Sequence, residues 1–183
     1  MLVTVDEREI TISEVPPRDP VRAQLARFEG DVIRASYTYF MSSDLADLVA
    51  TGQTTPPWMA LLHPQGSYLV ARTRDGRIAG TIDIHMPNHL GHAIVEPLMV
   101  RPDLHRRGVG RRLWLAAEAI ASGWSARQIG AWSIDANLGA RAFYLDRGCR
   151  PIGDTHLEVG AVRFHCEFLA KTPRPPDSPY GGG

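Results

Sequence analysis

The chain has 183 residues, which fits one domain, and 44% of them are hydrophobic while 22% are charged. The basic and acidic residues, 20 of each, cancel to a formal net charge of +0. This balance argues against a general nucleic-acid binder and against a polybasic membrane-surface protein, since both carry a basic excess. Lys171 is the one lysine among the basic residues and the others are arginine, a bias that we interpret as the base composition of a G+C-rich bacterial genome.

The cysteine count and the hydropathy pattern indicate where the protein works. Cys149 and Cys166 have no metal-ligand spacing and are too few for a disulfide framework, so we expect a reduced, cytoplasmic setting. The longest stretch without Asp, Glu, Lys or Arg, residues 48–71, contains prolines and glycines, and the first ten residues include acidic ones. We therefore expect neither a membrane span nor a signal peptide.

In the first third of the chain, alternation of apolar and polar residues predicts a strand over residues 9–15, before Pro16-Pro17. A helix beginning near Pro20 follows, with apolar residues at helical spacing. Residues 36–63 are less regular, although Thr55 is suited to cap a short helix ending at Leu62. The apolar positions of the first helix are Val21, Leu25, Phe28 and Val32.

The rest of the chain alternates strands and helices. An Asp-Gly turn predicts a hairpin, and the remaining pattern predicts strand, helix, strand, helix and two last strands. We expect an α/β fold with a mixed central sheet of about six to seven strands and helices on both faces. Residues 1–171 are predicted to form one domain, and the Pro- and Gly-rich tail 172–183 to be disordered. The predicted strands are 67–73, 78–86, 93–100, 128–134, 150–152 and 162–169, and the predicted helices 108–122 and 138–146.

The junction between the strand 93–100 and the next helix has the composition of an anion site. Residues 101–112 contain five arginines and one aspartate, and Gly108 and Gly110 let the backbone approach a ligand closely. Free N–H groups and the positive dipole end at the helix start suit a pyrophosphate. The competing interpretation is a solvated basic loop.

Two known phosphate loops do not fit this segment. A Walker loop needs Gly-Lys-Ser/Thr, whereas Arg111-Arg112 follows the glycines here. A dinucleotide fingerprint needs a third glycine where Leu113 stands. A nucleotide-binding protein is therefore a weaker interpretation.

Two motifs of the chain instead resemble the GNAT superfamily of acetyl-CoA-dependent N-acetyltransferases. The segment 105–110, His-Arg-Arg-Gly-Val-Gly, is similar to the family's pyrophosphate loop, Gln/Arg-x-x-Gly-x-Gly/Ala. The segment 137–149 is similar to its Asn-x-x-Ala-x-x-Phe-Tyr-x-x-x-Gly-Phe motif. His105 replaces the usual Gln or Arg, and Cys149 replaces the usual aromatic residue.

The resemblance implies a three-layer αβα sandwich whose central sheet is splayed in the middle, and acetyl-CoA as acyl donor without a metal. Pro97 agrees with this expectation, because a proline inside a strand marks an edge or a bulge. A bulge there would leave backbone groups free for the cofactor. The cofactor-binding residues that the resemblance implies are Leu98, Met99, Val100, His105, Arg106, Arg107, Gly108, Val109, Gly110, Arg111, Asn137, Ala140 and Tyr144.

The chemistry of acetyl transfer needs an acid and a base. Tyr144 stands where the family has the tyrosine that protonates the coenzyme A thiolate, although a tyrosine on an amphipathic helix also packs in many cores. Glu96 is our candidate for the base, because the period of two places it on the face of Leu98. Asp83, His85 or a water relay are the alternatives, and a salt-bridged Glu96 without a catalytic role is as well supported.

For several further residues the sequence allows two interpretations. Asn137 fits a helix N-cap as well as a contact to the cofactor arm. Three histidines, His85, His89 and His92, straddle a loop without a fixed face, so we expect no metal site. Aromatic residues of the first third could line an acceptor pocket or belong to the core; they are Tyr37, Tyr39, Phe40 and Trp58.

The sequence thus predicts an enzyme that transfers an acetyl or longer acyl group to an amine of a small molecule or peptide by direct attack. The alternative is a non-catalytic acyl-CoA-binding or sensing module on the same fold. A homodimer is an expectation from the resemblance alone.

Overall fold

The computed structural model of the chain describes residues 10–54 and 62–174. Its helices are α1 (Arg22–Tyr37), α2 (Ser43–Ala50), α3 (Val109–Gly123) and α4 (Leu138–Asp146). Its strands are β1 (Thr11–Glu14), β2 (Gly66–Arg72), β3 (Ile78–His85), β4 (His92–Val100), β5 (Gln128–Ile134), β6 (Arg150–Val159) and β7 (Val162–Lys171).

Within the described residues the strands form one seven-stranded mixed sheet in the order β1-β2-β3-β4-β5-β7-β6. The β4–β5 pair is parallel and the other pairs are antiparallel. The parallel pair is connected through α3, since parallel strands need a crossover. The expected mixed sheet is therefore confirmed.

Helices cover both faces of this sheet, as the alternation of β2 shows. Leu69 and Ala71 belong to the core cluster that includes Leu113 of α3, whereas Tyr68 and Val70 pack with Leu25 of α1. Because neighbouring side chains of a strand point to opposite faces, α1 and α3 lie on opposite sides. The expected three-layer sandwich is confirmed, and we call its two sides the α1 face and the α3 face.

A bulge interrupts the pairing of β3 with β4. Ile84 lies opposite Val95, and Ile82 lies opposite Leu98, so two steps along β3 match three steps along β4. The extra residue falls at positions 96–97, where Pro97 lacks the N–H group that would donate a hydrogen bond to the neighbouring strand. The bulge expected from the sequence is present.

Next to the bulge, β4 separates from β5. Their parallel pairing ends at Val95 and Ala131, although β4 continues to Val100 and β5 to Ile134. Beyond the bulge the two strands continue without pairing each other, which confirms the splayed middle of the sheet. We call this opening the splay.

Two elements differ from the sequence prediction. The segment 36–63, expected to be irregular, contains α2, which begins after Ser42 with the Ser42 side chain accepting a hydrogen bond from Leu45 N at 3.4 Å. The strand expected over 150–152 extends to Val159, and a register shift after Pro151 absorbs the interruption of the apolar pattern. An edge strand tolerates such a proline because its outer N–H groups need no partner.

Some predictions concern residues outside the described ranges. They are the short helix after Thr55, the position of Trp58, the start of the first strand at residue 9 and most of the tail. The division into a domain over 1–171 and a disordered tail over 172–183 stays a prediction.

Candidate functional site

The loop between β4 and α3 has a backbone that presents N–H groups. A 3-10 turn over Pro102–Leu104 begins it, and Arg106 and Gly108 have positive φ angles of 59° and 77°. Helix α3 then begins with no side-chain cap and no acidic residue in its first turn. Its first N–H groups lack partners inside the helix and lie at the positive end of its dipole. This arrangement fits the predicted anion site.

Polar side chains of the loop have partners within the protein, among them Arg101, Asp103 and His105. Arg101 Nε lies 2.6 Å from Asp103 Oδ1, and the guanidinium lowers the pKa of that carboxyl. His105 Nε2 lies 2.9 Å from the carbonyl oxygen of Val100, a contact that requires the ring proton on Nε2. A contact between His105 and a bound cofactor stays a prediction.

Gly110 lies where α3 approaches α4 and β4 closely. A Cβ atom at this position would lie 3.4 Å from Phe143 Cε2 and 3.5 Å from Val100 Cγ2. A methyl group would therefore touch both side chains without displacing them, whereas a longer side chain would collide with them. The first turn of α3 is thus held directly against the end of β4.

Tyr144 of α4 is buried in the core cluster on the α3 face. Its side chain is 6% exposed, and its ring packs edge-on against Trp114 at 5.5 Å between centroids. Burial, and after it the charge of Glu96, raises the pKa of Tyr144 well above its usual value. The phenol therefore keeps its proton at neutral pH, as a proton donor must.

Glu96 does not share a face with Leu98, so this part of the sequence interpretation is wrong. The bulge adds one residue between Val95 and Leu98, and register places both of them on the face of Ile82 and Ile84. That face belongs to the cluster around α3. Glu96, next to Val95, therefore lies on the α1 face.

The alternative base Asp83 lies on β3 across from the bulge, and the charges that act on it differ from those that act on Tyr144. Burial raises the pKa of Asp83, and the charges that act on it are those of His85, Arg22 and Glu29. Arg22 and Glu29 belong to α1, beside β2 and β3. By contrast, the groups that act on Tyr144 are Glu96, Tyr37 and Cys149. Among the candidate bases, Glu96 is the one that shares an environment with Tyr144.

His85 has its own backbone partner. Its Nδ1 lies 2.8 Å from the carbonyl oxygen of His63. This contact ties the imidazole to the segment that precedes β2, and it gives no indication of a role at the splay.

Asn137 serves as the N-cap of α4. Its side-chain oxygen accepts a hydrogen bond from Ala140 N at 3.1 Å. This satisfies one of the helix's first N–H groups and confirms the capping interpretation. A contact between Asn137 or Ala140 and the cofactor stays a prediction.

The aromatic residues of the first third divide between core and surface. Tyr37 and Phe40 pack on a cluster that includes Ile134 and Cys166, with 4.9 Å between the two ring centroids. Tyr39 is 89% exposed. The proximity of Tyr37 to Glu96 had no signal in the sequence, because only the packing of α1 on the sheet brings them together.

The two cysteines and His92 lie in environments that suit neither a thiol nucleophile nor a metal ligand. Cys149 and Cys166 are both buried and free, and burial raises the pKa of each thiol to about 11. His92 stacks on Phe168 at 5.5 Å. Over residues 10–54 and 62–174 there is no group of three or more His, Cys, Asp or Glu side chains that could hold a metal ion. In the same residues no helix is both long and apolar enough to cross a membrane.

Comparison with known proteins agrees with the fold and the motifs. The model of the acetyltransferase (GNAT) family matches residues 32–149, which is more than half of the chain. The chain therefore belongs to the GNAT acetyltransferase family. This confirms the resemblance carried by the pyrophosphate loop and by the segment that begins at Asn137.

Individual relatives show how far the similarity extends. The GCN5-related N-acetyltransferase 4, chloroplastic, of Arabidopsis thaliana is 42% identical over 62 residues, which are 34% of this chain and 21% of that protein. The chain thus matches about a fifth of the length of this curated relative.

Solved structures share the fold over nearly the whole chain. A GCN5-related N-acetyltransferase from Rhodopseudomonas palustris superposes with a TM-score of 0.66 and 20% identity, covering 88% of this chain and 94% of that one. The spermidine N-acetyltransferase from Vibrio cholerae, in complex with CoA and spermine, gives a TM-score of 0.64 and 12% identity over 91% and 97% of the two chains. At these identities the likeness concerns the fold.

Proposed function

We propose that the protein transfers an acetyl group from acetyl-CoA to an amine of a small molecule or peptide by direct attack within a ternary complex. The observation that carries this proposal is the splay itself. At one opening of the sheet, β4 and β5 stop pairing, the uncapped start of α3 adjoins the end of β4, and Glu96 and Tyr144 share an electrostatic environment.

The residues present fit a coenzyme A thioester, which would supply the acyl group. The first N–H groups of α3 and the backbone of residues 106–111 would hold the pyrophosphate. The unpaired side of β4 at Leu98, Met99 and Val100 would bond the pantetheine arm as a neighbouring strand would. Asn137 and Ala140, at the start of α4, would also contact the cofactor.

In this proposal Glu96 acts as the general base and Tyr144 as the general acid. Glu96 would take a proton from the acceptor ammonium, directly or through water, so that the amine nitrogen has a free lone pair. Tyr144, which holds its proton because burial raises its pKa, would donate it toward the leaving thiolate. The amine attacks the thioester carbonyl directly, because neither buried cysteine is suited to form an acyl intermediate.

A screen for thiol release tests the proposal. The wild-type protein is incubated with acetyl-CoA and with representative small amines, amino acids, aminoglycosides and peptides, and free coenzyme A is measured. We expect amine-dependent release with at least one class, and the acetylated amine is identified by mass spectrometry. Binding of acetyl-CoA without transfer to any amine would instead indicate the alternative, a non-catalytic acyl-CoA-binding module.

Longer acyl-CoA donors belong in the same screen, since nothing in the sequence limits the chain length. We also propose a cytoplasmic location and a homodimer, both of which stay expectations from the sequence. Cell fractionation and light scattering of the purified protein measure them.

A further inference from the structure

The last residue of α1, Tyr37, lies over the splay on the face opposite Tyr144. Its ring packs on the cluster that contains Ile134, the end of β5, and Cys166 of β7. Helix α1 also contacts β4. Tyr37 therefore lies on the α1 face, beside the end of β5 that borders the opening.

Glu96 lies on the same face, because the bulge places it opposite to the side of Leu98. Both side chains thus lie on the α1 face of the opening, Glu96 on the side of β4 and Tyr37 on the side of β5. Tyr144 reaches the opening from the α3 face, where it belongs to the cluster around Trp114. Two phenols and one carboxylate therefore lie around this opening, Tyr37 and Glu96 on the α1 face and Tyr144 on the α3 face.

The electrostatic environment agrees with this placement. Burial, followed by the charges of Glu96 and Cys166, raises the pKa of Tyr37 well above its usual value. Tyr37 is also among the groups that act on Tyr144. The hydroxyl of Tyr37 is therefore neutral at physiological pH, and its oxygen retains lone pairs that can accept a hydrogen bond.

We propose that Tyr37 is a further residue of the acceptor site, and that its phenol oxygen accepts an N–H of the amine while Glu96 takes the proton. The α3 face is the side of the pyrophosphate loop, so the amine would enter from the α1 face. A primary ammonium has three N–H groups, and after one proton passes to Glu96 an N–H remains for Tyr37. This inference rests on the proposed function and names the residue that orients its nucleophile.

The experiment compares Tyr37→Phe with Tyr39→Phe, using the amine identified in the screen. Phenylalanine keeps the ring that packs on Phe40 and removes only the hydroxyl, while Tyr39, at 89% exposure, provides a nearby surface control. We expect the amine KM of Tyr37→Phe to rise about tenfold, the effect of one lost hydrogen bond in a closed site. Its kcat should stay within about threefold of wild type, since the bond exists before and during attack.

Two further measurements separate this role from a structural one. Calorimetric titration should give the same acetyl-CoA Kd for wild type and Tyr37→Phe, and thermal unfolding should give the same Tm. Tyr39→Phe should match wild type in every parameter.

The inference is overturned if Tyr37→Phe leaves the amine KM unchanged in an active enzyme. It is also overturned if kcat falls while the KM stays constant, which would assign Tyr37 to proton donation, or if Tyr39→Phe raises the KM equally. Failure of the proposed function would be recognised separately, since the wild-type protein would then transfer acetyl to no amine, and the inference would fall with it.

Discussion

At the level of single residues, the proposed chemistry of the splay depends on how burial changes the pKa of the side chains there. Tyr144 and Glu96 are ordinary side chains in the sequence, but burial of the phenol, which packs against Trp114, and after it the charge of Glu96 raise the pKa of Tyr144. In the proposed mechanism the neutral phenol would be the acid and the carboxylate the base of one site. Each member can be removed separately.

Tyr144→Phe should lower kcat by about 100-fold, the lower range of what a positioned general acid contributes. The ring remains in its aromatic cluster, so acetyl-CoA should bind with unchanged Kd. Single-turnover kinetics and calorimetric titration measure the two quantities. An unchanged kcat, with the chemical step shown to limit the rate, would rule out Tyr144 as the acid.

Glu96→Gln should lower kcat by about 100-fold or more at neutral pH, because the amide cannot take the proton of the ammonium. The variant's rate should then rise steeply with pH, as the free amine forms in solution. Asp83→Asn is the comparison, since Asp83 interacts with the α1 residues Arg22 and Glu29, and it should retain its kcat. A larger loss in Asp83→Asn than in Glu96→Gln would reverse the assignment of the base.

At the level of elements, the site depends on the start of α3 lying against the end of β4. Gly108 precedes the helix with a φ of 77°, a conformation that favours glycine. Gly110 leaves room for no more than a methyl group beside Phe143 and Val100. These two glycines set the position of the N–H groups that would bind the pyrophosphate.

Gly110→Leu should weaken acetyl-CoA binding by at least about tenfold, because the side chain would push α3 from β4 and enter the loop. Gly110→Ala should keep the Kd within about threefold, since its Cβ would make only ordinary contacts. Gly123→Leu, at the open end of the same helix, is the matched control. Calorimetric titration with acetyl-CoA measures all three. Wild-type affinity in Gly110→Leu would contradict the assignment of this loop.

The hydrophobic pattern predicted most of the helices and strands, but it was less successful in predicting which face of a strand a given side chain occupies. Pro97 indicated a bulge in β4, which is present, but the bulge also shifted the side-chain alternation and moved Glu96 from the face of Leu98. A one-residue insertion reverses every following side chain of a strand. The proline can be read in the sequence, whereas the residue that becomes the extra one depends on the pairing with β3.

At the level of the whole molecule, a buried ion pair joins the last strand to α3. The one lysine of the chain, Lys171 of β7, places its Nζ 2.6 Å from Glu118 Oε1, and their side chains are 12% and 5% exposed. Glu118 also accepts a hydrogen bond from Arg174 N at 2.9 Å. Loss of one partner would leave a buried charge without its counterion.

Lys171→Met should therefore lower the free energy of unfolding by about 3–5 kcal/mol, and the double variant with Glu118→Leu should recover much of the loss. Arg77→Met is the surface comparison, since the Arg77–Asp75 pair is more than half exposed, and it should change the free energy by less than about 1 kcal/mol. Urea denaturation measures the three variants. Equal losses in Lys171→Met and Arg77→Met would show that burial of the pair adds nothing.

At the same scale, the overall charge is compatible with the proposed anion site. The formal charge sums to +0, while five arginines and one aspartate lie within residues 101–112. A small local excess suits one pyrophosphate and would not cover a length of nucleic acid.

The sequence by itself determined the family, the loop that resembles the family's pyrophosphate loop, the order of most elements and the bulge at Pro97. These features are local, since glycine spacing, a proline and apolar periodicity act within a few residues. Only the tertiary structure decided the face of Glu96, the length of β6, and the electrostatic influence of Glu96 and Tyr37 on Tyr144. Those three side chains come from a helix, a strand and another helix far apart in the chain, and the packing of the layers brings their elements to one part of the sheet, which a linear pattern does not specify.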